Sequence, residues 1–330
     1  MEQRHLGRTG LRVSRTGLGT MTWGRDTDEQ DAADQMKAFL DAGGNLVDTA
    51  DVYADGEAEY LLGRLLDGYV PRSEVVIATK AASVPYSERR FDGSRAHLLQ
   101  ALDASLARLG TDHVDLWQLH AYDPATPLDE TLHALELAVS SGRTRYVGVS
   151  NFCGWQLAKA ATWQLVAPGR VVIASAQMEY SLLQRGIERE VLPAAVDLGV
   201  GLLPWSPLGR GVLTGKYRHG MPADSRGASA DMGPFVATYL DADSRRIVDA
   251  VATAADGLGT APIEVALSWV RDRPGVVAPI VGARNSGQLR ASLAAEALTL
   301  PTEIRSALDD VSAPLTGYPD HDWSQAWSQT

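Results

Sequence analysis

The feature that most constrains this chain is an alternation, repeated along its length, of short apolar runs rich in Val, Ile and Leu with longer segments of helical spacing. Parallel strands need a crossover long enough to cover the sheet, so a buried extended run followed by an amphipathic helix is the unit of a parallel sheet. The runs fall at residues 16–19, 45–47, 75–78, 114–119, 146–149, 171–176, 201–203 and 276–280. Eight runs match the strand count of a (β/α)8 TIM barrel, and 330 residues accommodate one such barrel with loop insertions. The expectation is a single barrel domain over 1–330, in which 314–330 is an irregular tail and 218–239 an irregular loop that serves as a lid.

Between the runs, residues 28–42 place Ala32, Ala33, Met36, Phe39 and Leu40 on one face and stop at Gly43-Gly44, the pattern of a helix with a glycine terminator. Residues 94–109 and 128–139 repeat that logic, and 247–266 hold two helical segments around 257–262. Ahead of the barrel, residues 4–6 and 11–13 flank Gly7-Arg8-Thr9-Gly10 and predict a β-hairpin that plugs one end.

A net charge of −11 argues against nucleic acid or an anionic membrane surface as a partner. Cys153 is the only cysteine, which excludes an internal disulfide and any thiolate metal cluster; it is expected as an inert buried thiol, and no metal site is expected. The N-terminal residues lack the apolar core of a signal peptide and no run approaches about 20 apolar residues, so the expectation is a cytoplasmic protein. A homo-oligomer is compatible with these features.

Three runs end in or at an ionisable residue: Asn45-Leu46-Val47-Asp48, Val75-Val76-Ile77-Ala78-Thr79-Lys80 and Val114-Asp115-Leu116-Trp117-Gln118-Leu119-His120. Adjacent strands lie about 4.8 Å apart, so Asp48, Lys80 and His120 converge at the carboxyl rim where barrels carry their sites, and Tyr53 joins from the next loop. A phenol with a pKa of about 10 is a weak acid near neutrality. A neighbouring ammonium at Lys80 would favour the phenolate, while Asp48 holds that lysine charged against desolvation. The same spacing also suits a structural ion pair with Tyr53 and His120 as rim residues.

With these residues in view, Asn45-Leu46-Val47-Asp48-Thr49-Ala50-Asp51-Val52-Tyr53 together with Gly56-Glu57-Ala58-Glu59 resembles the signature of aldo-keto reductases, and Gly148-Val149-Ser150-Asn151-Phe152 resembles a second. The likeness runs from Arg4 to about Pro301 and is greatest to bacterial reductases similar to the β-subunits of voltage-gated potassium channels. It implies an oxidoreductase that moves a hydride from NADPH to an aldehyde or ketone. Tyr53 then falls on the general acid, and Asp48, Lys80 and His120 on its companions. Channel β-subunits often replace the histidine, so its retention favours an enzyme over an NADP(H)-binding regulatory protein with little turnover, which is the alternative reading.

No segment has the G-x-G-x-x-G spacing of a Rossmann fold; Gly209-Arg210-Gly211-Val212-Leu213-Thr214-Gly215 has one residue too many. The resemblance instead assigns the nicotinamide of NADPH/NADP to Ser150, Asn151 and Gln177, stacked on Trp205. It adds Thr20, Met21 and Asp48, the stretch Ser206, Pro207, Leu208 and Gly209, and Gly282, Gln288 and Ser292. Arg284 precedes an apparent helix, where a cation opposes the helix dipole unless an anion joins them. In the family that anion is the adenosine 2′-phosphate, and Lys216 and Arg226 fall on contacts to the pyrophosphate. Ala291, Ser292 and Val281 depart from the family's usual Glu, Asn and Pro, which implies weaker adenine contacts. Trp23, Tyr86 and Tyr122 follow the first, third and fourth runs and are expected to line an aromatic substrate pocket, while Trp323 and Trp327, four residues apart, can share one helical face that caps the pocket, docks on the barrel wall or joins a subunit contact. A phosphosugar isomerase on the same barrel, with Arg284 as its phosphate grip, is a further reading that Asn151, Gln177 and Trp205 argue against.

Overall fold

The computed structural model describes residues 1–166, 168–230 and 232–315. Trp323, Trp327 and all but the first two residues of the expected tail therefore lie outside the described residues. The chain opens with an antiparallel pair, β1 (Gln3–His5) and β2 (Arg12–Ser14). Eight strands then form one parallel sheet: β3 (Gly17–Gly19), β4 (Leu46–Asp48), β5 (Val76–Ala81), β6 (Val114–Leu119), β7 (Thr144–Ser150), β8 (Ile173–Glu179), β9 (Gly201–Trp205) and β10 (Ile280–Gly282). From β3 to β8 each pairs with the next in the chain, so that β9 closes one end of the order, and β10 pairs with β3 at the other. Val277 N–H donates to the Leu202 carbonyl at 2.9 Å and Leu202 N–H to that of Gly275 at 3.0 Å, which closes the circle between β9 and β10. The fold is a (β/α)8 TIM barrel.

The last strand departs from the expected run 276–280. The chain there changes partner, bridging Leu202 at Val276 and joining β3 only from Ile280. Pro279 between them has no N–H for either ladder.

Helices begin and end where the side chains dictate. Asp28 accepts from Asp31 N–H ahead of the helix Glu29–Asp41, and Ser94 from His97 N–H ahead of Arg95–Leu109. The expected region 247–266 resolves into Ala242–Leu258 and Pro262–Arg271, separated by Gly259 in the left-handed region. Among the described residues no helix is long and apolar enough to cross a membrane.

The strands alternate between two apolar clusters. Val47, Ile77 and Trp117 point outward against Phe39, Leu62, Leu102 and their neighbours under the helices. Leu46, Val76, Ala78 and Leu116 point inward, where Leu6 and Val13 of the hairpin fill the amino-terminal end. The plug fits because Gly7, at φ +56, lies so close to the Ala174 and Gly199 carbonyls that a Cβ would stand 2.7 and 2.6 Å from them. The same alternation carried toward the carboxyl end puts Asp48, Lys80 and Gln118 inside the barrel, one layer above the apolar filling.

Candidate active site

Inward alternation and parallel register together build the top layer. Asp48 pairs with Ala78, Lys80 with Gln118, and Ser150 with Gln177, so side chains distant in sequence meet over the lumen. The Lys80 ammonium, wholly buried, uses its three protons in three directions: toward Asp48 Oδ1 at 2.6 Å, the Thr49 carbonyl at 2.8 Å and the Tyr53 hydroxyl at 3.4 Å. Burial works against the Lys80 charge, but Asp48 and Tyr53 outweigh it and hold the group above the ordinary lysine range.

Tyr53 leads a tight 3-10 turn, Tyr53–Gly56, in which Ala54 and Asp55 take left-handed φ of 49° and 54°. Such a backbone costs roughly 1–3 kcal/mol per residue and brings the ring back over the barrel mouth. The phenol was expected to be pulled down by Lys80. Burial of the hydroxyl instead raises it above the usual tyrosine value; Lys80 opposes that rise, and the charges of Asp48 and Asp51 add to it. His120 meets Tyr53 edge-on, with ring centroids 6.0 Å apart at 81°. Burial, followed by the charge of Lys80, pushes His120 down to about 3, so the imidazole is neutral; its buried Nδ1 has no hydrogen-bond partner.

Further polar side chains hold Asp48 from the other side. Gln177 Nε2 donates to Asp48 Oδ2 at 2.7 Å, and Gln118, which donates to the same oxygen at 3.5 Å, accepts from the Ser175 hydroxyl at 3.0 Å. A Cβ at Gly148 would stand 2.0 Å from Ser175 Oγ, so only glycine admits that contact. Gln118 and Ser175 read in the sequence as ordinary strand residues; the alternation from Leu116 was the signal that could have found Gln118.

From Tyr53 and His120 a cleft of about 560 Å³ runs across the barrel mouth and out past β10. Met21, Ser150, Asn151, Gln177 and Trp205 line its inner part, Ser206, Pro207 and Leu208 its middle, and Lys216, Arg226, Gly282, Arg284, Gln288 and Ser292 its outer part. Trp205 Nε1 donates to Asn151 Oδ1 at 3.0 Å, and Asn151 Nδ2 to the His120 carbonyl at 3.0 Å. Ser150 donates to the Gln177 carbonyl at 2.8 Å. Ser150, Asn151 and Gln177 each commit a donor within the protein, while the Ser150 hydroxyl oxygen and Gln177 Oε1 accept no hydrogen bond among the described residues and remain free to receive the N–H groups of a carboxamide. At the outer end Asn285 caps the helix Ser286–Leu293. The Arg284 and Arg226 guanidiniums make no hydrogen bond or ion pair among the described residues, and burial, with Arg25 and Arg284 nearby and only Asp26 and Tyr217 opposing, holds Arg226 below the usual arginine value. Cations in that situation call for an anion.

Other expected residues lie elsewhere. Thr20 and Gly209 are buried beside the cleft rather than lining it; the Thr20 hydroxyl donates to the Asp48 carbonyl at 3.1 Å. The aromatic pocket of Trp23, Tyr86 and Tyr122 does not form. Trp23 is a core residue whose Nε1 donates to Gln35 at 3.2 Å, Tyr86 is fully exposed in a left-handed turn, and Tyr122 packs edge-on against Phe152 and Trp155. Cys153 is exposed, not buried, because Phe152 takes the interior position and the cysteine precedes the helix Gly154–Leu165.

Arg210 was missed. It pairs with both oxygens of Glu179 at 2.9 and 2.8 Å, donates to the Phe235 carbonyl at 2.7 Å and stacks 3.7 Å from the Phe235 ring centroid. It thereby ties the end of β8 to the far end of the 218–239 loop that carries Arg226.

Comparison with known proteins agrees with this architecture. The model of the Aldo/keto reductase family matches residues 15–313. The chain is 40% identical to the uncharacterized oxidoreductase YrpG of Bacillus subtilis (strain 168), covering 94% of this chain and 96% of that protein. It is 35% identical to a probable voltage-gated potassium channel subunit beta of Oryza sativa subsp. japonica (97% and 98%), and 32% to the versiconal hemiacetal acetate reductase of Aspergillus parasiticus (97% and 99%). The parallel barrel, the polar layer at its carboxyl rim and a match of this extent make the chain a member of the aldo/keto reductase family.

Proposed function

We propose that this protein is an NADPH-dependent reductase of small-molecule aldehydes or ketones in which Tyr53 is the general acid. The observation that carries the reading is the 3.4 Å approach of the buried Lys80 ammonium to the Tyr53 hydroxyl, with Asp48 2.6 Å behind it. A bound NADPH supplies the hydride. As negative charge develops on the substrate oxygen, the phenol proton of Tyr53 passes to it, and the phenolate left behind is stabilised by Lys80. A neutral His120 suits this division of labour, since it can hydrogen-bond the carbonyl oxygen without competing as a proton donor. Arg284 and Arg226 fit a phosphate-bearing cofactor, with Arg284 on the 2′-phosphate and Lys216 and Arg226 toward the pyrophosphate.

Replacing Tyr53 by Phe removes the proton and little else. Consumption of NADPH with an electrophilic aldehyde such as 4-nitrobenzaldehyde should fall by a factor on the order of 10² or more, while the Kd for NADPH stays within about twofold. Undiminished turnover would refute the acid assignment. The likeness to channel β-subunits favours a second reading, an NADP(H)-binding regulatory protein with little turnover. Tight NADPH binding with no reduction across a diverse carbonyl panel would select it.

A further inference from the structure

Among the described residues, Asp51 is the one carboxyl with a buried oxygen that nothing satisfies, Oδ1. It lies two residues before Tyr53, and its N–H donates to the Lys80 carbonyl at 3.2 Å, which fixes it against β5. Its surroundings carry charge on every side. Glu59, wholly buried on the helix Glu57–Leu66, is held by the Thr79 hydroxyl and by Arg108 of the helix Arg95–Leu109, whose Nε lies 2.7 Å from Glu59 Oε2. The Lys80 ammonium on β5 and the neighbouring Val52 N–H act on it electrostatically, and Tyr53 shares its loop.

We propose that Asp51 sets the acid strength of Tyr53 through Lys80: protonated, it leaves the ammonium's field on the phenol, and ionised, it cancels part of that field. The inference rests on the reading of Tyr53 as the acid. The charge count explains it. Lys80 is already balanced by Asp48 and Arg108 by Glu59, so a further carboxylate makes the group net negative and disfavours the phenolate that proton transfer leaves. Burial first, then Glu59, raise Asp51 to about 7, against the opposing pull of Arg108, the Val52 N–H and Lys80. The carboxyl therefore changes charge near neutrality, where His120 and Tyr53 do not.

Asp51→Asn keeps the shape and fixes the side chain neutral. In wild type, kcat for reduction of 4-nitrobenzaldehyde by NADPH should fall about threefold or more as pH rises through neutrality, the response of a weakened general acid. In Asp51→Asn it should stay at the low-pH plateau, with the KM for NADPH unchanged. Glu59→Gln should move the wild-type midpoint to lower pH, because the like charge is gone and Arg108 is freed toward Asp51. A midpoint unmoved in Asp51→Asn overturns the proposal.

Stability gives a readout that needs no turnover. The folded protein holds a proton on Asp51 between its ordinary value of 3.8 and about 7 that the unfolded chain has released, so wild type loses stability relative to Asp51→Asn as pH rises across that window. A difference independent of pH also overturns the proposal. Wild type that reduces no carbonyl, with the pH-dependent stability difference present, instead defeats the reading of Tyr53 and the consequence drawn from it.

Discussion

The side-chain amide of Gln177 donates to Asp48 Oδ2 at 2.7 Å, joining residues 129 positions apart in the chain. One oxygen of Asp48 takes the Lys80 ammonium and the other takes Gln177, so the carboxylate is shared between the Lys80–Tyr53 pair and the cleft. Gln177 thereby has two tasks, an Nε2 committed to Asp48 and an Oε1 that makes no hydrogen bond among the described residues.

Gln177→Met preserves volume and removes both. Loss of a buried hydrogen bond to a charged group costs about 1.5–3 kcal/mol, and chemical denaturation should show a loss of that order. The Kd for NADPH should rise in parallel. Retained stability with weakened binding would restrict Gln177 to the cofactor and detach it from Asp48.

His120 makes the folded state sensitive to acid. Its value is depressed to about 3 from the ordinary 6.5, so the unfolded chain takes up a proton in that window which the native protein refuses. The contribution is whole above about 6.5 and is lost as pH falls toward 3. Relative to His120→Asn, wild type should lose about 1.4 kcal/mol per pH unit below that upper limit. Denaturation curves of the pair at successive pH values measure it, and parallel curves would mean that His120 is solvated enough to protonate freely.

Arg284→Ala should raise the Kd for NADPH about tenfold or more and that for NADH by less than about twofold, since a hydrogen bond between charged groups contributes about 1.5–3 kcal/mol. Fluorescence titration with the two cofactors separates these outcomes. Equal weakening of both would move Arg284 from the 2′-phosphate to a group the cofactors have in common, and would leave Arg226 as the candidate for it.

The sequence by itself determined the barrel and which ionisable residues gather at its rim. Periodicity in 45–47, 75–78 and 114–119 identified strands because strands enclosed on both faces must be apolar throughout, and an ionisable residue ending such a run has only the rim to occupy. That logic brings Asp48, Lys80 and His120 together from the sequence alone. Tertiary structure decided what local pattern does not encode. Trp23 follows its strand as a pocket residue would, yet Gln35 from the next helix satisfies its indole N–H in the core, and the partner exchange at Val276 displaces the last strand. The proton affinity of the Tyr53 phenolate belongs to the same class. Lys80 lowers it as its position in the sequence suggested, but the desolvation that outweighs Lys80, and the charge of Glu59 acting on Asp51, arise from the packing of this loop and the helix after it against β5 and the helix Arg95–Leu109. Electrostatic effects depend on distance and burial, and only the folded molecule sets either.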